Sequence, residues 1–225
     1  MRLVNREKEP FWKSAARVRR TSIPGNLDKW LFDKSSLTSR LIKASDGQFS
    51  IEVESEKRGL PQRNERMALG LRHGEYVFAR QVYLICKGKP WVFARSVIPV
   101  KTANGPLRGL TRLGNKSLGS VLFSDPNIQR SALALTRVSN QQKCFDIATK
   151  LSQRKASEIW GRRSKFTVRK HPLLVSEFFL PDLLLPNITN NTQGSENTGT
   201  KSEKSSFWDI VSGIFGGNKE KSLSH

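Results

Sequence analysis

Residues 76–100 of this 225-residue chain read YVFARQVYLICKGKPWVFARSVIPV, and this stretch decides the fold. Two runs rich in valine, isoleucine and aromatic residues flank residues 87–90 (KGKP), a four-residue turn signal, so the stretch predicts an antiparallel β-hairpin. Side chains alternate between the two faces of a strand. With Cys86 opposite Trp91, one face of the hairpin is apolar except for two arginines.

Those two arginines, Arg80 and Arg95, are the unusual feature of the predicted face. A guanidinium in a core-facing row is unfavourable unless an anion meets it. Three interpretations stay open from the hairpin alone. An internal carboxylate neutralises each arginine, the strand register turns the arginines to solvent, or at least one of them binds an anionic ligand.

Composition limits the class of protein. The length fits one domain, and the formal net charge of +20 with a pI near 10.5 favours an anionic partner such as nucleic acid, acidic lipid or a small anion. The basic residues are dispersed, which supports nucleic acid only modestly. Cys86 and Cys144 form no CxxC pair and no cluster with metal-ligand spacing. Without a secretory signal or a membrane-spanning stretch, the sequence predicts a cytoplasmic protein.

Two segments predict helix-turn-helix pairs. In the first, a serine of residues 35–36 is expected to cap the second helix. In the second, Ser117 is expected to cap a helix and Asp125-Pro126 to begin a further one. Each pair has a Ser-Leu-x-Ser unit where a helix begins. The unpaired backbone N–H groups and the positive dipole end at Leu37 and Leu118 are therefore candidate anion sites.

One acid stands out among apolar residues. Residues 173–180 (LLVSEFFL) predict a strand that Pro181 ends, and Glu177 lies inside it. Glu177 either pairs with Arg80 or Arg95 as a structural bridge or meets a polar group of a ligand, and spacing alone does not separate these interpretations. A ligand with a carboxylate at one end, a hydroxyl at the other and an apolar ring between them would satisfy Arg80, the helix N-termini and Glu177 together.

The remaining segments receive coarser predictions. Residues 48–53 and 165–169 predict strands, residues 54–74 a long irregular connection, and residues 141–159 a polar helix. We divide the chain into a domain at residues 1–186, a disordered linker at 187–206 and a short amphipathic segment at 207–225. Within the last segment, FWDIVSGIF from Phe207 to Phe215 is expected to dock on its own domain, on a membrane surface or on a partner protein.

Five blocks of the chain, taken together, resemble the chorismate pyruvate-lyases. They are WLFDKSSLTSRL (30–41), KPWVFARSVIPV (89–100), LGNKSLGSVLF (113–123), WGRRS (160–164) and PLLVSEFFLP (172–181), in the family's order. The resemblance implies an α+β fold with a single antiparallel β-sheet of about six strands and two helix-turn-helix flaps over a buried ligand site. It also implies cleavage of chorismate to 4-hydroxybenzoate and pyruvate, towards ubiquinone, by a monomer without a cofactor or metal.

The resemblance carries roles to individual positions. Arg80 would bind the ring carboxylate and Glu177 the ring hydroxyl, which makes them the predicted catalytic pair. The backbone of Leu37 and of Leu118 would complete the substrate pocket from the flaps, and Arg95 would help with the enolpyruvyl carboxylate. The chain departs from the family at residues 138–159, a segment longer than the family's equivalent.

Two other classes stay open. The same fold resembles the effector domain of some bacterial transcription regulators, so a non-catalytic ligand-binding module is the main alternative. Residues 1–25 are too short for the DNA-binding domain expected ahead of such a module. A basic nucleic-acid-binding protein is the third class, because residues 162–170 are rich in arginine and lysine beside Trp160 and Phe166. No recognised nucleic-acid motif is present, so no specific nucleic-acid partner is expected.

Overall fold

The predicted hairpin lies inside a single antiparallel sheet. The structure, a computed structural model, describes residues 9–105, 107–123 and 128–184. Its strands are β1 (Lys13–Ser14), β2 (Phe49–Gly59), β3 (Val77–Cys86), β4 (Lys89–Pro99), β5 (Gln129–Arg130), β6 (Ala134–Ser139), β7 (Glu158–Val168) and β8 (His171–Phe179). The order is β1-β6-β7-β8-β4-β3-β2, with β5 paired to β7. The α+β class with one antiparallel sheet is confirmed: six strands are long, and β1 and β5 have two residues each.

The turn of the hairpin is tighter than predicted. Lys87 and Gly88 join β3 to β4 with φ of 50° and 70°. Two successive positive φ values are those of a type I′ turn, whose twist matches that of the strands, and glycine adopts such a φ without a steric cost. Cys86 therefore pairs with Lys89 and not with Trp91. The predicted register was wrong because Lys89 belongs to the strand.

The pairing of β3 with β4 shifts by one residue between Leu84 and Ile85, and this shift separates the two arginines. Arg80 pairs with Ser96, whereas Arg95 pairs with Gln81. Because successive side chains alternate between faces, Arg80 and Arg95 lie on opposite faces of the sheet. The prediction that they share a face was wrong. The two positions must therefore be explained separately.

Helices cover both faces of the sheet. They are α1 (Asp28–Leu31), α2 (Leu37–Ala44), α3 (Arg63–Leu69), α4 (Val100–Ala103), α5 (Leu118–Phe123) and α6 (Lys143–Thr149), with a 3-10 helix at Arg108–Thr111. Residues 28–44, with α1 and α2, are called the first flap below. Residues 108–123, with the 3-10 helix and α5, are called the second flap. Ser36 caps α2 as predicted, since its Oγ accepts from the Ser39 N–H at 3.4 Å.

Three local predictions were wrong. Residues 54–59 extend β2, and residues 63–69 form α3 where an irregular connection was expected. The missed signal is a capping box, in which the Gln62 N–H donates to Glu65 Oε2 at 2.9 Å. The predicted helix of residues 141–159 shrinks to α6, because β7 already begins at Glu158.

The second flap is not built as expected. Residues 124–127, which include the predicted helix start Asp125-Pro126, lie outside the described residues. After them, Ile128 and Leu133 directly precede β5 and β6, and Leu135 lies within β6; both strands pair with β7. Their pairing partners are distant in sequence, so an apolar pattern of helical spacing became strand. The helices of this flap that the structure describes, the 3-10 helix and α5, precede residue 124.

The sheet buries apolar side chains on both faces. On one face, Leu31 and Leu41 of the first flap share a buried cluster with Val92 and Phe179. A second cluster on this side joins helices of the second flap to β4, β7 and β8. The opposite face is covered by α3 and α6. The flaps thus cover one face of the sheet, and apolar side chains line the space between the flaps and the sheet.

No helix in residues 9–105, 107–123 or 128–184 has the length and apolar character needed to cross a membrane. The linker and amphipathic segment predicted for residues 187–225 lie outside the described residues. The domain boundaries given above therefore stay predictions.

Candidate active site

A small cavity of about 50 Å³ lies between the sheet and the two flaps. The sheet contributes Ile51, Arg80, Val82, Leu84, Ala94, Ser96, Arg130, Arg162, Phe166, Val175 and Glu177, and the flaps contribute Ser35, Leu37, Thr38, Lys116, Ser117, Leu118, Gly119 and Leu122. A volume of this size holds a few water molecules.

Arg80 lies on β3, and its side chain is 3% exposed. Its Nη1 donates to Glu56 Oε1 at 2.6 Å, and its Nη2 donates to the Gly114 carbonyl at 2.7 Å. Burial lowers the pKa of Arg80, while the charge of Glu56 opposes the shift. An internal carboxylate thus meets this arginine, and the same arginine also lines the cavity. Its contact with Gly114 ties the second flap to the sheet.

Glu177 lies on β8, directly opposite Arg162 of β7. Arg162 Nε donates to Glu177 Oε2 at 2.6 Å. The other end of this guanidinium donates through Nη1 to the carbonyls of Trp30 and Asp33, at 2.7 and 2.6 Å. Glu177 therefore pairs with Arg162 and not with Arg80 or Arg95. Arg162 holds Glu177 in place and anchors the first flap to the sheet.

Leu37 and Leu118 begin α2 and α5, and both line the cavity. The first N–H groups of a helix have no acceptor within the helix. Next to these residues the flaps touch, because Thr38 Oγ1 and Ser117 Oγ share a hydrogen bond of 2.6 Å. A Cβ added at Gly119 would lie 3.2 Å from Thr38 Oγ1. The absence of a side chain at Gly119 lets the flaps approach each other this closely.

Arg95 is the predicted site residue that the structure does not place with the others. It lies on the opposite face of the sheet and is not among the residues that line the cavity. Its Nε donates to Glu65 Oε1 at 2.6 Å and its Nη2 to Glu65 Oε2 at 3.1 Å. The side chain of Glu65 is 4% exposed. This two-bond contact attaches α3 to the sheet, while Arg80, Glu177, Leu37 and Leu118 share one cavity.

The cavity carries more positive than negative charge. Its cationic side chains are Arg80, Lys116, Arg130 and Arg162, whereas Glu177 lines it and Glu56 pairs with Arg80 from outside the lining. Among these six groups two positive charges are in excess, which suits a ligand with two negative charges. No cluster of three or more histidine, cysteine, aspartate or glutamate side chains that could hold a metal occurs in the part of the chain that the structure describes.

Sequence reasoning missed four of these charged groups as site residues. Lys116 lies in the LGNKSLGSVLF block, and Arg162 lies in the WGRRS block but was assigned to the basic run. Glu56 was placed in a connection, and Arg130 in a helix. No local pattern marks Glu56 or Arg130, since both reach the site only through pairing between distant strands.

The basic run of residues 162–170 is not a continuous surface stripe. Arg162 is 1% exposed and points to the cavity. Arg163, next to it in the strand, donates to Asn64 Oδ1 at 2.7 Å and lies over the Trp12 ring. Two of the three arginines in this run thus make internal contacts on opposite faces of the sheet.

Comparisons with known proteins identify relatives of this chain. A family model described as chorismate lyase matches residues 8–187. A probable chorismate pyruvate-lyase from Nitrosomonas eutropha is 39% identical over 160 residues, which cover 71% of this chain and 89% of that protein. Another, from Azoarcus sp., is 41% identical and covers 70% of this chain and 85% of that protein.

Among solved structures, PhnF from Mycobacterium smegmatis matches with a TM-score of 0.51 at 14% identity. The match covers 68% of this chain and 67% of that chain. At this identity the likeness concerns the fold alone.

Proposed function

Because this chain belongs to the chorismate lyase family and is a lyase, we propose that it splits chorismate into 4-hydroxybenzoate and pyruvate, a first committed step towards ubiquinone. The observation that supports the proposal best is the position of Arg80 and Glu177. They lie on different strands, and both line one closed cavity under two flaps. A guanidinium and a carboxylate separated by apolar walls complement a ring with a carboxylate at one end and a hydroxyl at the other.

Arg80 binds the ring carboxylate. A guanidinium has five N–H donors in a planar fork, so Arg80 can keep its bond to Glu56 and still receive a substrate carboxylate. The N–H groups of Leu37 and Leu118, at the start of the two flap helices, add donors from above. The carboxylate end of the substrate therefore links the sheet to both flaps and favours their closed arrangement.

Glu177 accepts a hydrogen bond from the ring hydroxyl. The bond from Arg162 fixes the orientation of the carboxylate, and a carboxylate has lone pairs left for a second donor. Val82, Leu84 and Val175 line the space between Arg80 and Glu177 and contact the ring. The ring is thereby fixed at both ends, with the enolpyruvyl ether beside Glu177.

The reaction needs little chemistry from the protein. The bond between ring C3 and the ether oxygen breaks, the hydrogen on ring C4 moves to the enolpyruvyl methylene, and the ether oxygen becomes the keto oxygen of pyruvate. The ring becomes aromatic, which supplies the driving force. The protein's residues hold the reactive conformer and exclude water.

The experiment is to incubate the purified chain with chorismate, without added metal or cofactor, and to quantify both products. Chromatography measures 4-hydroxybenzoate, and a coupled lactate dehydrogenase assay measures pyruvate. We expect equimolar products, lost in Arg80→Ala and Glu177→Ala, while Arg137→Ala, at a position with a 62% exposed side chain, retains activity.

Two results would contradict the proposal. Tight binding of 4-hydroxybenzoate without turnover would move the chain to the class of non-catalytic effector modules. Full turnover in both Arg80→Ala and Glu177→Ala would exclude this cavity as the catalytic site.

A further inference from the structure

Three guanidinium groups of the sheet reach the cavity, and they differ in what neutralises them. Arg80 pairs with Glu56 and Arg162 with Glu177, each at 2.6 Å. Arg130, on β5, forms no ion pair with any carboxylate of the described residues. It is therefore the cavity guanidinium whose charge these residues leave uncompensated.

Arg130 is held by neutral groups. Its Nε donates to Ser164 Oγ at 2.9 Å, and its Nη1 donates to the Lys34 carbonyl at 2.8 Å. The guanidinium lies 5.3 Å from the centroid of the Phe166 ring. These contacts fix the direction of the fork but cancel none of its charge. Such an arrangement is preorganised for an anion, because the cost of ordering the side chain is already met by the fold.

The electrostatic surroundings of Arg130 point the same way. Burial lowers the pKa of Arg130, and repulsion from Arg162 lowers it further, while Glu177 and Asp33 act in the opposite direction without contacting it. A half-buried cation next to another cation is unfavourable unless an anion joins them. An anion bound between Arg130 and the cavity would relieve this repulsion.

The position of Arg130 relative to Glu177 matches the shape of chorismate. In the sheet, β8 carries Glu177 and lies between β7 and β4. The strand β5, with Arg130, pairs with β7 on one side, whereas β3, with Arg80, follows β4 on the other side. Arg130 and Arg80 thus approach Glu177 from opposite sides. In chorismate the enolpyruvyl ether is on ring C3, next to the hydroxyl carbon C4 and meta to the ring carboxylate. With the hydroxyl at Glu177 and the ring carboxylate at Arg80, the second carboxylate projects to one side of this axis, and on the β7 side Arg130 is the cavity guanidinium without a carboxylate partner among the described residues.

We propose that Arg130 binds the enolpyruvyl carboxylate of chorismate and so distinguishes the substrate from the aromatic product. This inference rests on the proposed function and deepens it. The carboxylate that Arg130 holds leaves with pyruvate when the C3–O bond breaks, and 4-hydroxybenzoate has no group to replace it. Holding that carboxylate also restricts rotation about the ether, which keeps the methylene near the hydrogen on C4 that it receives.

The test separates substrate recognition from product recognition. For Arg130→Gln, kcat/KM for chorismate should fall roughly 10- to 100-fold, the range for a lost hydrogen bond to a charged group. The Kd for 4-hydroxybenzoate, measured by calorimetry, should change less than about threefold, since the product lacks the second carboxylate. Arg80→Gln should weaken the binding of both compounds, because both carry the ring carboxylate.

Two further variants complete the test. Arg130→Lys keeps the charge but loses the planar fork. It should lower kcat/KM for chorismate by a smaller factor than Arg130→Gln, again without a matching change in the Kd for 4-hydroxybenzoate. This variant keeps the test valid if Arg130→Gln fails to fold. Arg137→Gln, at an exposed position of the neighbouring strand β6, should change neither quantity.

The outcomes separate this inference from the proposed function. Suppose that the wild-type chain turns over chorismate. If the Arg130 variants then lose substrate and product binding equally, or lose neither, the inference about Arg130 fails while the proposed function stands. If the wild-type chain does not turn over chorismate at all, the proposed function fails and the inference fails with it.

Discussion

Arg162 and Glu177 face each other across β7 and β8, with Nε and Oε2 2.6 Å apart and side chains 1% and 16% exposed. The same arginine donates to two carbonyl groups of the first flap. The Arg162 side chain therefore orients the Glu177 carboxylate and also attaches the first flap to the sheet. Stability and function are linked at this pair.

Replacing Arg162 with methionine should lower the free energy of unfolding by about 3 kcal/mol, because it leaves Glu177 without its cation and two carbonyl groups without a donor. Urea denaturation measures this change. The double variant Arg162→Met/Glu177→Gln should recover part of the loss. Arg137→Met, which breaks an exposed ion pair with Glu158, is the control and should stay within about 0.5 kcal/mol of the wild type. An equal loss of stability in Arg162→Met and Arg137→Met would contradict the prediction.

Gly119→Ala should weaken binding of 4-hydroxybenzoate by roughly fivefold, equivalent to about 1 kcal/mol. The added Cβ would lie 3.2 Å from Thr38 Oγ1 and 3.4 Å from Ser117 Oγ, so the flaps close less completely. Calorimetry with the product measures the effect. Gly109→Ala is the matched control in the same flap, since nothing lies within 4 Å of its Cβ. Unchanged affinity for 4-hydroxybenzoate in Gly119→Ala would show that the first flap shifts to accommodate the methyl group without a loss of binding free energy.

The first flap should lose stability in acid through Asp33. Partial burial raises the pKa of Asp33, but hydrogen bonds from Ser35 and Arg40 outweigh burial and hold it below the usual value. A carboxyl with a depressed folded-state pKa contributes stability above its unfolded pKa, near 4, and loses it as the pH falls through the folded value.

The measurement compares wild type with Asp33→Asn by urea denaturation between pH 7 and pH 3. The wild type should be more stable at pH 7, and the difference should shrink as the pH falls below about 4. Asp46→Asn, at a 75% exposed side chain, is the surface control and is measured in the same way. A difference that persists at pH 3 would mean that Asp33 acts through shape and not through charge.

Both cysteines should resist alkylation in the folded protein. Burial raises the pKa of Cys86 to about 12 and that of Cys144 to about 11, so both are neutral thiols at pH 8, whereas the thiolate is the reactive form. Mass spectrometry after iodoacetamide should find little modification of the native chain and complete modification in guanidinium chloride. Rapid modification of Cys86 without denaturant would show that the sheet opens at β3.

Deleting residues 187–225 should leave kcat/KM for chorismate within about twofold of the full chain. The cavity is lined by residues 35–177, and the family match ends at residue 187. Activity assays and thermal denaturation of both forms measure the effect. A fall of several degrees in Tm would indicate that residues 207–215 pack on the domain.

The sequence by itself determined the central hairpin, the class of fold, the serine cap of α2 and four residues that share one cavity: Arg80, Glu177, Leu37 and Leu118. These features depend on local sequence patterns or on the order of the five sequence blocks, both of which can be read from the sequence directly. The pairing of side chains across strands does not follow from such patterns. A turn shorter by two residues changes the partners, and the one-residue register shift between Leu84 and Ile85 moves the rest of the strand to the opposite face.

Only the tertiary structure therefore decided that Arg80 and Arg95 lie on opposite faces, and that Glu56 and Arg162 neutralise the two catalytic candidates. It also brought Arg130 to the cavity from a two-residue strand whose partner is 36 positions away. A charge acquires its function from the groups within a few ångströms of it, and the register of the sheet selects those groups.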